Sequence, residues 1–535
     1  MNQLPVKDFL SGRKVGMVIL AIAFLSRILI QMYFFRTGVD RSLQLLASKN
    51  FLQGHGLSIA QVFSEDLSRQ IFTPIVGWPP GYPLFVSLMA TLTGNISIAA
   101  IIFELISICI LVYFSRKILQ LSGCSDFLVN CFTLVTGFFL YNFCQVSSPD
   151  MSAVAFILWA LYLTLVYLEK SKEPSYTILI ALINFIPGFL RYMFIPIAFV
   201  IPLYLLLTGY ITMNKKIMKG GLISLTITIL LVTAMLLFQS NTTGSATYIN
   251  TSGKGFYPGN LLEFYPVIIG AFANLTFIYS FLTNIGLKYG ALHIIIFISN
   301  CILLLTLVYY YIKSFLTNIS KPLSTAQHFI FMGGAISILI AILLIAFSTH
   351  YKALIRPNDN WTFVQESRYM AFITVFVQMA AFICLFRNGV WRKNFILRTS
   401  AFIIIFLLAI ETLHGMYFTG KLLTGDKTHF HPDKNYILQK EFIKDFVKEN
   451  KQNTRDLVFT SIEKTYLNIA ALHGASVLYN FDSSKKLSSL RPFDLIIVIK
   501  NGEQLNYGDY LMHDSTRQIK TIGNISFYHY RNNIQ

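Results

Sequence analysis

Apolar runs of about twenty residues, each closed by a short polar or basic stretch, repeat through the greater part of the chain. A helix rises about 1.5 Å per residue, so roughly 20 apolar residues cross the hydrocarbon core of a bilayer. By that measure spans are predicted at 15–35, 96–114, 127–143, 151–168, 220–238, 292–312, 329–347, 369–386 and 395–414. The stretch 176–210 is too long for one helix and is interrupted at Pro187, Gly188 and Arg191, so it reads as two spans meeting at Arg191. That makes about eleven spans. Segment 264–283 is apolar enough to cross, but Gly270 and Asn274 break it, and it is placed in the outer interface. The first run lacks a small-residue cleavage signature and reads as a retained span.

After about Gly420 the pattern changes. Charged residues become frequent and the apolar period shortens, which predicts helices at 435–449 and 462–473 and strands at 456–460, 494–500 and 524–530. The expected fold class is a polytopic α-helical membrane protein with a small C-terminal α/β soluble domain. Its expected organisation is a transmembrane catalytic domain over 1–420, with an outer loop at 37–83 and an outer interfacial segment at 240–290, followed by an outer-face domain over 421–535.

Composition rules out a water-soluble fold. Hydrophobic residues make up 54% and charged residues 13%, with a mean hydropathy of +0.58, whereas soluble chains carry about 25% charged residues. The net charge of +18 is not a nucleic-acid signal. Its Lys and Arg residues cluster between apolar runs: Arg13 and Lys14, Arg116 and Lys117, Lys170 and Lys172, Lys215, Lys216 and Lys219, Lys313 and Lys321, and Arg387, Arg392, Lys393 and Arg398. With the N-terminus inside, all of these fall on the cytoplasmic side, as the positive-inside rule requires, and the C-terminus is outside. The partners expected are membrane lipids, with no nucleic acid. The six cysteines lie in or beside apolar runs without metal-ligand spacing, so neither a disulfide framework nor a zinc site is implied.

The loop 37–83 carries the candidate chemistry. On a helix starting near Asp40, residues Leu43, Leu46, Ala47 and Phe51 share one face with Asp40. A carboxylate on a packed face has a partner or a use, and Asp also N-caps helices well. Asp150 ends a short outer turn and could likewise cap the fourth span. Arg191 interrupts an apolar stretch, and Arg368 stands in an Glu-Ser-Arg-Tyr run entering the 369–386 span. Lys352, Arg356 and His350 near them read as interfacial snorkelling groups. Arg27 and Glu104, inside spans, read as structural. His429, His431 and Asp433 read as a solvated loop.

Asp40, Ala47, Leu52, Gly54 and Gly56, followed by Pro79, Pro80, Gly81, Tyr82 and Pro83, resemble the first outer loop of the GT-C glycosyltransferases. The likeness is closest to the protein-O-mannosyltransferase and lipid A aminoarabinose-transferase branch. The run from Ser147 to Asp150, Arg191 with Tyr192, and Glu366 to Tyr369 extend it, so it covers nearly the whole chain. Two positions depart: Arg41 stands where protein mannosyltransferases usually carry Glu, and Gln44 where many relatives carry an aromatic, which speaks against protein as the acceptor.

The resemblance implies inverting transfer of a single sugar from a polyprenyl-phosphate or dolichyl-phosphate donor to a hydroxyl of a glycan, lipid or protein acceptor at the outer leaflet. Asp40 is then the general base and Asp150 a second active-site carboxylate. Arg191 and Arg368 bind the lipid phosphate, and Tyr369, Tyr82 and Arg41 contact phosphate or sugar. No metal and no cofactor is expected. The compartment implied is the bacterial cytoplasmic membrane, with the active site and C-terminal domain on the periplasmic side. Two other activities fit the composition: a transporter or flippase for a lipid-linked sugar, and a polymerase or ligase of lipid-linked oligosaccharides.

Overall fold

The structure is a computed structural model. It describes residues 12–34, 39–138, 149–170, 173, 175–247, 258, 270–273, 286, 291–318, 323–346, 371–387, 389–393, 395–424, 434–450, 455–482, 486–500 and 507–532. The chain forms two compact units that do not follow chain order. A helical unit comprises Met1–Phe34, Gly77–Gly81 and Glu104–Gly425, and a sheet unit comprises Phe35–Val76, Tyr82–Phe103 and Asp426–Gln535.

The helical unit is built from α1 (Arg13–Phe34), the greater part of α4 (Ile96–Leu121), α5 (Asp126–Phe138), α6 (Asp150–Lys170), α7 (Tyr176–Leu190), α8 (Val200–Ile211), α9 (Lys215–Thr243), α10 (Ala291–Asn318), α11 (Thr325–Ala346), α12 (Ala371–Ala381) and α13 (Phe395–Leu423). Helix α12 continues as a π-turn over Phe382–Phe386. Among the described residues, eight helices are long and apolar enough to cross a membrane, and four shorter apolar helices accompany them. One of the four, Gly81–Thr93, lies in a stretch for which the sequence pattern predicts no helix. The predicted outer segment 264–283 lies outside the described residues, apart from 270–273.

Local chemistry marks the helix ends. Asn214 caps α9 by accepting from the backbone N–H groups of Lys216 (3.1 Å) and Ile217 (3.3 Å). Gly244, at φ 75°, closes the same helix. Between helices, small residues let backbones approach: a Cβ on Gly415 would lie 1.8 Å from the Phe138 carbonyl oxygen, and one on Gly137 2.7 Å from the Ala23 Cα. Outward-facing Leu222, Leu230 and Leu237 of α9 are exposed. Such an apolar surface is unfavourable in water and suits lipid.

Charged groups inside the helical unit are enclosed by polar partners. Arg27 donates from Nε to the Thr136 carbonyl at 2.7 Å, and Gln31, one turn further on, donates to the Glu104 carboxylate. Arg116 donates to Asn130 Oδ1 (2.7 Å) and Thr133 Oγ1 (3.1 Å). These bonds tie α1 and α4 to α5, which agrees with a structural reading of Arg27 and Glu104.

The sheet unit contains α2 (Val39–Leu52), the hairpin β1 (Ser58–Phe63) and β2 (Asp66–Pro74), α3 (Gly81–Thr93, from Tyr82 on), α14 (Lys434–Asn450), β3 (Asp456–Ser461), α15 (Lys464–Leu472), β4 (Ser476–Leu478), β5 (Phe493–Lys500), a short α16 (Gly508–Leu511), β6 (Thr516–Ile522) and β7 (Ile525–Asn532). Five strands run in the order β4-β3-β5-β7-β6, with β3 parallel to β4 and β5, and β7 antiparallel to β5 and β6. The central β5 is a near-continuous apolar run because both its faces are covered. Phe459, Ile496, Val498 and Phe527 pack with α14, α15 and Leu46 of α2 on one face. Val458, Leu495 and Ile497 pack with Val62 and Leu67 of the hairpin on the other. Most of the loop predicted at 37–83 therefore belongs to this unit, with Leu46, Val62 and Leu67 in its core.

One end of the three central strands, β3, β5 and β7, is held by Asp494. Its carboxylate accepts from Arg455 Nε (3.0 Å) and Arg455 Nη2 (3.1 Å), and lies within 3.1 Å of His529 Nε2 and 3.3 Å of Arg531 Nε. Burial pushes this carboxyl up, but the hydrogen bonds from His529 and Arg455 outweigh burial and hold it well below the usual carboxylate range. A depressed folded-state value means the group stabilises the fold fully above the ordinary carboxylate pKa, and that contribution is lost as pH falls through the folded value. In pulse proteolysis of the full chain, Asp494→Asn should lower the stability of the sheet unit by about 3 kcal/mol near neutral pH. The same variant should flatten the loss of protection seen in acid.

Candidate active site

Arg191 stands where an apolar helix is forced to stop. Pro187 inside α7 cannot donate to the preceding turn, and the helix ends at Leu190 with Arg191 in extended backbone, φ −147° and ψ 127°. Two 3₁₀ turns follow, Tyr192–Phe194 and Pro196–Phe199, before α8 resumes. The break falls where Pro187, Gly188 and Arg191 predict it. Asn184 Nδ2 donates across it to the Ala198 carbonyl at 2.5 Å, satisfying one of the acceptors that the missing helical turn leaves behind.

The break aligns Arg191 with the head of α6, where Arg191 Nε lies 2.5 Å from Asp150 Oδ1. The aspartate side chain is 4% exposed and the arginine side chain 21% exposed. The pair thus hides its anion and presents its cation. Among the described residues no second carboxylate forms an ion pair with Arg191, and a guanidinium fork can meet a further anion through its other nitrogens.

The Trp-Pro-Pro-Gly segment is fitted against the same turn. Tyr192 donates its hydroxyl to the Trp78 carbonyl at 3.3 Å. Gly81 packs so closely on the end of α7 that a Cβ there would lie 2.3 Å from the Phe189 carbonyl oxygen. Only glycine permits that approach. Three motifs distant in sequence, Trp78–Gly81, Asp150 and Arg191–Tyr192, therefore converge within the helical unit.

The other predicted site residues lie in the sheet unit. Asp40 is half-buried in the first turn of α2, where the positive end of the helix dipole favours a carboxylate. Its backbone carbonyl accepts from Gln44 Nε2 at 3.2 Å. Gly54 and Gly56, both at positive φ, turn the chain out of this helix.

The helix face differs from expectation: Phe51 is 41% exposed, whereas Arg41, Ser42, Gln44, Ser48 and Asn50 are buried together with Leu46 and Ala47. Polar side chains are tolerated there because they are bonded. Ser42 Oγ accepts from Asn468 Nδ2 (2.7 Å), Ser48 Oγ donates to the Pro83 carbonyl (3.1 Å), and Asn50 Nδ2 donates to the Ser58 carbonyl (2.8 Å).

Arg41 is within electrostatic reach of Lys440. Burial lowers the pKa of that lysine first and Arg41 adds to the effect, against Glu441. Tyr82 is fully buried, with its ring edge-on to Phe103 at 5.7 Å. Arg368, Tyr369, His350, Lys352, Arg356, His429, His431 and Asp433 lie outside the described residues.

The comparisons concern the whole chain. It is similar to the crystal structure of ArnT from Cupriavidus metallidurans bound to undecaprenyl phosphate, at 10% identity over 96% of each chain with a TM-score of 0.52. The fold is that of the GT-C glycosyltransferases. The apo form of the same ArnT, a lipid A aminoarabinose transferase, matches equally: 10% identity, 96% of each chain, TM-score 0.52. The apo oligosaccharyltransferase of Archaeoglobus fulgidus matches 91% of this chain and 70% of its own, at 12% identity and a TM-score of 0.46. No protein-family model matches the chain, and no curated protein matches it either. The GT-C fold thus agrees with the expected resemblance and with the polytopic helical architecture that carries a C-terminal sheet region.

Sequence reasoning missed the β1–β2 hairpin and α3. Neither strand alternates cleanly: β1 buries Ser58 and Val62 and β2 buries Leu67, so the period-2 signal that marks a strand is weak in both. Gly81→Val tests the fit of this loop to the Arg191 turn. Thermal unfolding of the detergent-purified chain should show a loss of about 1–3 kcal/mol, and a variant as stable as the parent would mean that the loop does not rest on α7.

Proposed function

We propose that this chain is an inverting glycosyltransferase that moves one sugar from a polyprenyl-phosphate or dolichyl-phosphate donor to an acceptor hydroxyl at the outer membrane leaflet. The observation that carries the reading is the Asp150–Arg191 pair at the helix break, with its cation the more accessible partner. The GT-C fold supports it, since the ArnT that this chain resembles over 96% of its length was captured with undecaprenyl phosphate.

Chemically, the acceptor hydroxyl loses its proton to the Asp40 carboxylate and its oxygen attacks the anomeric carbon. The bond from that carbon to the phosphate oxygen breaks, and the electron pair stays on the lipid phosphate. A phosphodiester becoming a phosphate gains negative charge, so cations stabilise its departure more than a general acid does. Arg191, held in place by Asp150, and Arg368 provide that charge, and a guanidinium meets phosphate oxygens in a bidentate fork. Tyr369 contacts the donor beside Arg368. Arg41 and Tyr82, for which the resemblance implies contact with phosphate or sugar, are both buried, and in this proposal they hold the loop that carries Asp40 instead. The reaction so written uses no metal and no cofactor.

The expected setting is the bacterial cytoplasmic membrane with the reacting groups on its periplasmic side. Purified chain incubated with a panel of radiolabelled polyprenyl-phosphate sugars should release label from one of them to an acceptor. Asp40→Asn should reduce that transfer by about 10²–10⁴-fold while donor binding persists; unimpaired turnover would remove Asp40 from the mechanism. Arg191→Ala should instead weaken donor binding. Vectorial movement of the lipid-linked sugar in vesicles, without any glycosylated product, would favour a flippase.

A further inference from the structure

The C-terminal end of α2 opens into a pocket of about 420 Å³, walled by the β1–β2 hairpin and by the α15–β4 turn, all within the sheet unit. Its polar walls carry the carboxamides of Gln53, Gln61 and Gln70 and the Ser476 hydroxyl, with small residues Ala60 and Gly474 among the lining. Gln70 Nε2 donates to Ser476 Oγ at 3.0 Å and Gln61 Nε2 donates to Thr73 Oγ1 at 3.2 Å, which orients both amides. The Gln53 side chain makes no hydrogen bond among the described residues. At the rim His55 lies flat on Phe72, ring centroids 3.8 Å apart and planes 15° from parallel.

We propose that this pocket binds uncharged carbohydrate and holds the acceptor as an oligosaccharide. A carboxamide donates and accepts at once, which is what a ring of hydroxyl groups requires of its partner. No carboxylate is among the lining residues, so nothing there suits a metal ion. The lining lysine, Lys49, gives its ammonium to the carbonyls of Ala471 (2.8 Å) and Leu472 (3.3 Å), completing the C-terminus of α15. Two of its three N–H donors are therefore already taken, and the carboxamides and hydroxyl supply most of the polar groups left for a ligand. The stacked His55–Phe72 face offers a flat surface to the C–H face of a sugar ring.

The substrate's length follows from α2 itself. Asp40 lies six residues before Leu46 and ten before Asn50, both of them lining residues on one helix, which places the base about 9–15 Å from the α2 wall of the pocket. A single sugar cannot reach both; a chain of several rings can. This length requirement rests on the proposed role of Asp40, whereas the pocket's ligand class does not.

The test uses the full chain in detergent, applied to an immobilised panel running from monosaccharides to linear hexose and N-acetylhexosamine oligomers, with unglycosylated peptides alongside. Binding of one or more oligomers in preference to the single sugars is expected. Replacing both Gln53 and Gln70 by Leu, on the exposed rim, should weaken that binding about tenfold or more, and Ala60→Trp should fill the pocket and abolish it. Binding of polyprenyl phosphate should be unchanged in both variants. No oligomer bound, peptides bound in their place, or full glycan binding by Ala60→Trp would overturn the proposal. Glycan binding retained in Asp40→Asn supports a separate pocket, and normal transfer by that variant would remove the base without touching the pocket.

Discussion

Helix α2 is held rigidly, and the base proposed at its start is useful only if it does not swing. The restraint is polar as much as apolar. Leu46 enters the core beneath α14 and α15, yet the bonds that fix rotation and register are those of Ser42 to Asn468, Ser48 to Pro83, and Lys49 to the last carbonyls of α15. Asn468 is itself fixed by Tyr479, which donates to its Oδ1 at 2.6 Å. A buried polar group left unpaired costs about 1–3 kcal/mol, so a rotated α2 would forfeit several such bonds at once. An apolar face alone would tolerate sliding.

The second constraint is the break between α7 and α8. Ending a helix inside an apolar stretch strands backbone groups where water is scarce, and each must find a partner. Here Asn184 supplies one, the 3₁₀ turns supply others, and Pro187 and Pro196 have no N–H to satisfy. The break in turn gives a guanidinium a fixed place. A continuous helix would carry Arg191 on one of its faces; the extended backbone at that residue brings it against Asp150.

The two constraints divide the labour. In the helical unit, Gly81 seats its loop on the end of α7 beside Arg191, while Gly137, Gly415 and enclosed charges such as Arg27 and Arg116 tie α1, α4, α5 and α13 together. In the sheet unit, a strand run covered on both faces carries α2 and the pocket at its far end. The same short helix thus links a carboxylate at its first turn with an amide-lined cavity at its last.

Much of this was legible in the residues. Span length, the basic clusters and the change of period after Gly420 are local properties, set by the thickness of a bilayer and by side-chain periodicity, so they survive without knowledge of the fold. So does the break at Arg191, since Pro187 carries its own reason for ending a helix. What the chain alone could not decide was partnership. Phe51 reads as core and is exposed; Ser42, Ser48 and Asn50, which the apolar pattern does not single out, are buried. Their hydrogen-bond partners lie as much as 426 residues away, and burial of a polar group depends entirely on whether such a partner arrives. The pairing of Asp150 with Arg191 and the pocket assembled from α2, a hairpin and a strand near the C-terminus were likewise settled only by the tertiary structure. Each joins groups that are local to nothing in the sequence.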